Sequence, residues 1–148
     1  MPMSTYYNFP KYLADGTIDW DTNAISASLH TSAYTPDRSH DQWSSVSASE
    51  IAHAGYTAGG NALTGKSVTV VGTDSKLSGT IPTWTATGAP MTVKYLILRK
   101  GSGAGVGTDK LIGVIDLTSG TGFNGTVSTG KILSVVFSNG IFALQPGS

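Results

Sequence analysis

The chain has 148 residues, no cysteine, and nine bases balanced by nine acids. That length suits one domain with a core of its own and is short for two. Without cysteine there are no disulfides, thiolate ligands or cysteine nucleophiles, and singly scattered bases with a sequence pI near 6.8 give nucleic-acid binding no support.

Residues 5–14, "TYYNFPKYLA", place Tyr6, Phe9 and Leu13 at helical spacing with Tyr12 alongside, which predicts a short amphipathic helix with Pro10 in its first turn and Asn8 as cap. Asp15-Gly16 starts a turn. Residues 24–31 then alternate: Ile25, Ala27 and Leu29 face one way, Ser26, Ser28 and His30 the other, a half-buried strand. Thr35-Pro36-Asp37 opens a turn into a short helix over about residues 40–47, capped by Ser39 or Asp37, with Trp43 and Val46 inward. Gly59-Gly60-Asn61 is a breaker. Strands are expected at 66–72, 80–88, 91–100, 109–118, 125–129, 131–138 and 140–145, each bounded by turn residues. Ser138-Asn139-Gly140 is a tight hairpin signal between the last two, and "GSGAGVGT" (101–108) is a flexible hairpin loop. Glycine, serine and threonine supply 56 of the 148 residues, in keeping with strands and turns. The expected fold is one mainly all-β domain over residues 1–148, an antiparallel β-sandwich or small barrel with one or two short N-terminal helices. Residues 1–22 are a candidate N-terminal arm.

The neutral total hides a split. Residues 1–50 carry six acids and two bases; residues 51–148 carry seven bases and three acids. Offset within one fold is the default for opposite charges brought together; the alternative is complementary faces meeting between chains.

Chemistry has few candidates. "HTSAYTPDRSHDQW" (30–43) holds His30 and His40 beside Asp37 and Asp41, but no HExxH and no histidine pair at i, i+4 exists. A metal site would need His30, His40, His53 and a carboxylate to converge from separate elements. There is no GxSxG elbow, and adjacency of His40 and Asp41 makes no triad. Asp19, Asp21 and Asn23 fall at the first positions of an EF-hand-like loop, yet Ala24 stands where glycine is needed and His30 where glutamate is needed. "GSGAGVG" is neither GxGxxG nor a Walker loop and opens no helix. Asn124-Gly125-Thr126 matches a glycosylation sequon, without meaning in a chain that shows no secretion signal. No catalytic, cofactor-binding or metal residues are assigned. The aromatics Tyr6, Tyr7, Phe9 and Tyr12 either tuck into the protein's own core, the favoured alternative, or dock on a partner; with Asp19 and Asp21 they are the candidate interface residues.

Three stretches carry a resemblance: "FPKYLADGTIDWDTNAISASLHTSAYTPDRSHDQWSSV", "EIAHAGYTAGGNALTGKSVT", and "VKYLILRKGSGAGVGTDKLIGVIDLTSG" with the closing "KILSVVFSNGIFAL". Together they resemble a group of small tailed-bacteriophage virion structural proteins. The resemblance implies a β-rich, non-enzymatic particle component located in the virion: a capsid decoration (cement) protein first, a tail or neck component second. It further implies the major capsid protein or other virion subunits as partners and a homo-oligomer, plausibly a trimer. No cofactor, nucleic acid or membrane is expected; no apolar run reaches the ~18–20 residues of a membrane span, and "MPMSTYYNFPKYLADG" lacks the pattern of a signal peptide, so synthesis in the host cytoplasm is expected. The rival from composition alone is a carbohydrate-binding β-domain, which would need an exposed stacking platform from Trp20, Trp43 or Trp84. The patterning places at least Trp43 and Trp84 in the core.

Overall fold

The computed structural model describes residues 3–145. In chain order these form β1 (Ser4–Thr5), α1 (Phe9–Ala14), β2 (Ile25–His30), two 3-10 turns (Trp43–Ser45 and Ser47–Ser49), β3 (Asn61–Ala62), β4 (Thr64–Val71), β5 (Asp74–Thr80), β6 (Trp84–Thr85), β7 (Met91–Thr92), β8 (Tyr95–Lys100), β9 (Leu111–Asp116), β10 (Thr126–Val127), β11 (Ile132–Leu133) and β12 (Phe142–Leu144). The central antiparallel sheet has the order β1-β9-β8-β2-β3. A second sheet has the order β12-β5-β4, and β10 with β7 and β11 with β6 make two short pairs. The protein is mainly β, as its composition predicts, and the sheets are open: none closes into a barrel.

The central sheet is buried on both faces. On one, Ile25, Ala27, Leu29, Leu96, Leu98, Ile112 and Ile115 join the main core with Phe9, Trp20, Leu77, Trp84 and Phe142. On the other, Tyr95, Ile97, Leu111 and Val114 pack with Tyr6, Tyr34, Trp43 and Val46. The half-buried reading of β2 is therefore corrected: Ser26, Ser28 and His30, expected to face water, are buried, His30 against Trp43 and Ser49 of the segment 31–50. Short polar side chains tolerate this because each finds a partner: the Ser26 hydroxyl donates to the Gly101 carbonyl at 2.7 Å, and Ser28 and His30 bond each other.

Residues 4–22 are built into this domain. Ser4 and Thr5 pair with Val114 and Gly113 of β9, which puts Tyr6 on one side of the sheet and Phe9 and Tyr12 on the other. In α1 Pro10 occupies the first turn, and Asn8 precedes it without capping by its side chain; the Asn8 amide instead donates to Asp41 at 3.0 Å.

Elsewhere local rules gave way to pairing. The helix expected at 40–47 is two 3-10 turns, although Trp43 and Val46 do point inward. The expected strand 80–88 is split: Thr80 ends β5, Pro82, which lacks a donor, stands in the gap, and only Trp84–Thr85 form β6 and pair with β11. Ser138-Asn139-Gly140 turns the chain but joins no hairpin: β11 pairs with β6, and β12 with β5.

Candidate functional site

The three histidines do not meet. His30 is fully buried. His30 Nδ1 lies 2.9 Å from the Ser49 hydroxyl and Nε2 lies 2.9 Å from the Ser28 hydroxyl. Each serine also has a backbone carbonyl within reach, Val46 at 2.8 Å for Ser49 and Ile97 at 3.2 Å for Ser28, so in the neutral ring one serine accepts from the imidazole N–H and the other donates to the bare nitrogen. The Trp43 ring stands edge-on, its centroid 5.6 Å away. Burial with only neutral partners holds the His30 imidazole down at about 4. His40 Nδ1 lies 3.2 Å from the Tyr34 hydroxyl, which is itself 2.9 Å from the Tyr6 hydroxyl; His53 spans the Ala89 carbonyl and the Gly55 amide. Among the described residues no three histidine, cysteine or acidic side chains form a group able to hold a metal ion.

The densest polar cluster centres on a residue the sequence did not single out. Arg99, on β8, is fully buried. A bulge in the β8–β9 ladder sets it opposite Leu111, beneath the 101–108 loop. Its guanidinium pairs with Asp109 and donates to the carbonyls of Gly103 at 2.7 Å and Gly59 at 3.1 Å. It also lies over the Trp43 ring, 4.8 Å from the centroid. Arg99 Nε has no partner among the described residues. Asp109 also accepts the Val106 amide at 3.0 Å. Gly105 sits so close to the indole that a Cβ there would fall 2.5 Å from Trp43 Nε1, and a Cβ on Gly59 would fall 1.9 Å from the Gly103 carbonyl oxygen. The loop expected to be flexible is thus clamped, and its Gly101 and Gly105 serve close approach to Asp109 and Trp43. Beside the clamp, a Glu50 carboxylate oxygen accepts from the Tyr56 hydroxyl and the Gly59 amide, each at 2.5 Å.

A second carboxylate ties down the N-terminus. Asp41 accepts from the Tyr12 hydroxyl, from Asn8 and from Lys110, the last at 2.9 Å. These donors hold its carboxyl below the usual range against the opposing pull of burial. Asp41–Lys110 is also an ion pair between the acidic front and basic back of the chain, made within one fold.

Of the candidate interface residues, Tyr6, Phe9 and Tyr12 are buried in the protein's own core. Tyr7 is exposed, with the Arg38 guanidinium 4.9 Å over its ring. Asp19 and Asp21 face solvent; Asp19 accepts the amides of Asp21 and Thr22 and shapes its own turn. All three tryptophans are buried, so they build no platform for stacking a sugar.

What the surface offers is apolar. Eight large hydrophobic side chains are exposed among the described residues; three of them, Val68, Val70 and Leu144, share one face of the β12-β5-β4 sheet, and Val71 lies on the other. A groove of about 480 Å³ opens between β10 and β11, with Leu117, Val127, Leu133 and Val135 buried beneath it and Lys131 in its lining. Comparison of the chain with protein-family models, with curated proteins and with solved structures finds no match.

Proposed function

We propose that the protein is a non-enzymatic structural component of a tailed-bacteriophage virion, a capsid decoration protein that binds the major capsid protein and stabilises the head. The observation that carries the reading is where the distinctive residues go. The motif-like pieces of the sequence, "LHTSAYTPD", "SHDQW", "GYTAGG" and "RKGSGAGVGTD", meet around His30, Trp43, Gly59, Arg99 and Asp109, inside the protein. There they fix loops against a sheet. The surface left over includes an apolar strand edge suited to subunit contact.

Decoration needs many modest, repeated contacts rather than one deep pocket, because multivalent linkage raises avidity by ~10²–10⁴ without new contacts. The direct test adds the purified protein to mature heads of the phage that encodes it, stripped of decoration. Saturable binding that raises the temperature at which heads release DNA supports the proposal. Heads that neither bind the protein nor gain heat resistance refute it.

A further inference from the structure

The dipeptide Asn-Gly occurs twice, at 124–125 and at 139–140. Asparagine is a labile residue, most of all before glycine, whose amide nitrogen reaches the preceding Cγ with no Cβ in the way. The fold treats the two copies differently.

Asn124 is held. Its Oδ1 accepts the Thr126 amide at 3.0 Å, an Asx-turn that fixes the carboxamide on the amide two residues on. Gly125 is buried, and its carbonyl accepts the Val93 amide at 2.8 Å, so the main chain is fixed as well. Asn139 lacks that hold. The amide two residues on from it, Ile141, donates to the Leu77 carbonyl at 2.8 Å instead. Asn139 is exposed, and Gly140 is half-buried with a φ of 80°. Neither glycine amide donates to a backbone carbonyl among the described residues. What separates the two sites is therefore the carboxamide and the burial of its glycine.

We propose that Asn139 is a site of spontaneous deamidation and that the fold protects Asn124. The Gly140 nitrogen, its proton taken by hydroxide, bonds to Asn139 Cγ; the Cγ–Nδ2 bond breaks and ammonia leaves. Water then opens the cyclic imide. Opening at Cγ gives aspartate. Opening at the main-chain carbonyl gives isoaspartate, whose main chain runs through Cβ and Cγ. Nothing is oxidised or reduced, and the net exchange is water for ammonia. Either product puts a carboxylate in the cleft that Asn139 lines with Lys76 and Ser78. In isoaspartate the lengthened chain also falls just before Ile141, whose amide seats the last strand on β5, and Phe142, which packs against Phe9 and Trp20 at centroid distances of 5.1 and 5.8 Å. The modification thus loosens β12, whatever particle the protein joins.

The test ages the folded protein at mildly alkaline pH and then digests it with trypsin. Cleavage after Lys110 and Lys131 puts Asn124 in peptide 111–131 and Asn139 in peptide 132–148, and mass spectrometry reads the amide lost from each. Peptide 132–148 converts at least about tenfold faster than peptide 111–131, on the scale at which misplaced reacting atoms slow a reaction. In protein aged in urea the two convert together, because the dipeptides are the same. Aged wild type melts at a lower temperature than fresh protein, and Asn139→Ser, changed at an exposed position, does not. Equal rates in the folded protein overturn the proposal. So does a ratio that persists in urea, which would put the difference in the sequence and not the fold. Loss of amide from peptide 132–148 of Asn139→Ser would move the site to Gln145 and overturn it too. A melt unchanged in converted wild type overturns the loosening of β12.

Discussion

Arg99 decides more of this structure than any other side chain, yet the sequence gives no reason to choose it from "LILRK". Its partners come from Trp43, Gly59, Gly103 and Asp109, three of them distant along the chain or set by a bulge. A planar fork over an indole cannot be replaced by an ammonium. We predict that Arg99→Lys lowers unfolding free energy by ~2–4 kcal/mol in urea titrations, somewhat less than the ~3–5 kcal/mol for removing one partner of a buried ion pair because the ammonium keeps the charge, and exposes the 101–108 loop to protease. His30 makes a separate prediction. Its folded pKa, about 4, lies below the 6.5 of a free imidazole, so unfolding takes up a proton between those values. Stability is full above pH 6.5, falls as pH drops through that window, and has lost roughly 3 kcal/mol from this group below pH 4. His30→Gln should flatten the slope between pH 6.5 and 4 in thermal melts recorded across that range. Alternation along residues 24–31 places His30 in water, because periodicity reports one buried face and cannot foresee a covering segment on the other.

At the scale of elements, patterning worked where side chains alternate and failed where pairing partners decide. β2, β4, β8, β9 and β12 fall within or close to the expected runs. β5, "DSKLSGT", was not expected, since its one apolar residue, Leu77, gives no period. It forms because Val68 and Phe142 flank Leu77 in register and the core closes over it. Glycines add a constraint that a sequence lists without ranking. Gly60 has a positive φ of 74°, and a Cβ there would meet the Ala27 carbonyl oxygen at 1.9 Å; Gly120 also has positive φ but open space around it. Gly60→Ala should therefore lose several kcal/mol, while Gly120→Ala should lose about 1 kcal/mol from backbone strain alone. Comparison of denaturant midpoints checks the ranking, and equal losses would contradict the tight contact.

For the whole molecule, length and composition gave a mainly β architecture, and the open sheets exclude the barrel alternative. The charge split is legible, but its outcome is not: of the four ion pairs among the described residues, only Asp41–Lys110 joins the two halves. The N-terminus is the sharpest case. Its aromatics suited an anchor on a partner as well as a core, and Tyr6, Phe9 and Tyr12 are core. Deleting residues 1–12 removes all three, so the truncated chain should fail to give a cooperative melt; a stable fold would show that this segment is dispensable.

The central claim is that this chain is a repeated structural subunit of a virion. Quantitative mass spectrometry of purified particles of the encoding phage tests it most directly. A decoration protein should be present at a copy number approaching that of the major capsid protein. Absence from intact particles, with the protein found only in the infected-cell lysate, would contradict the account.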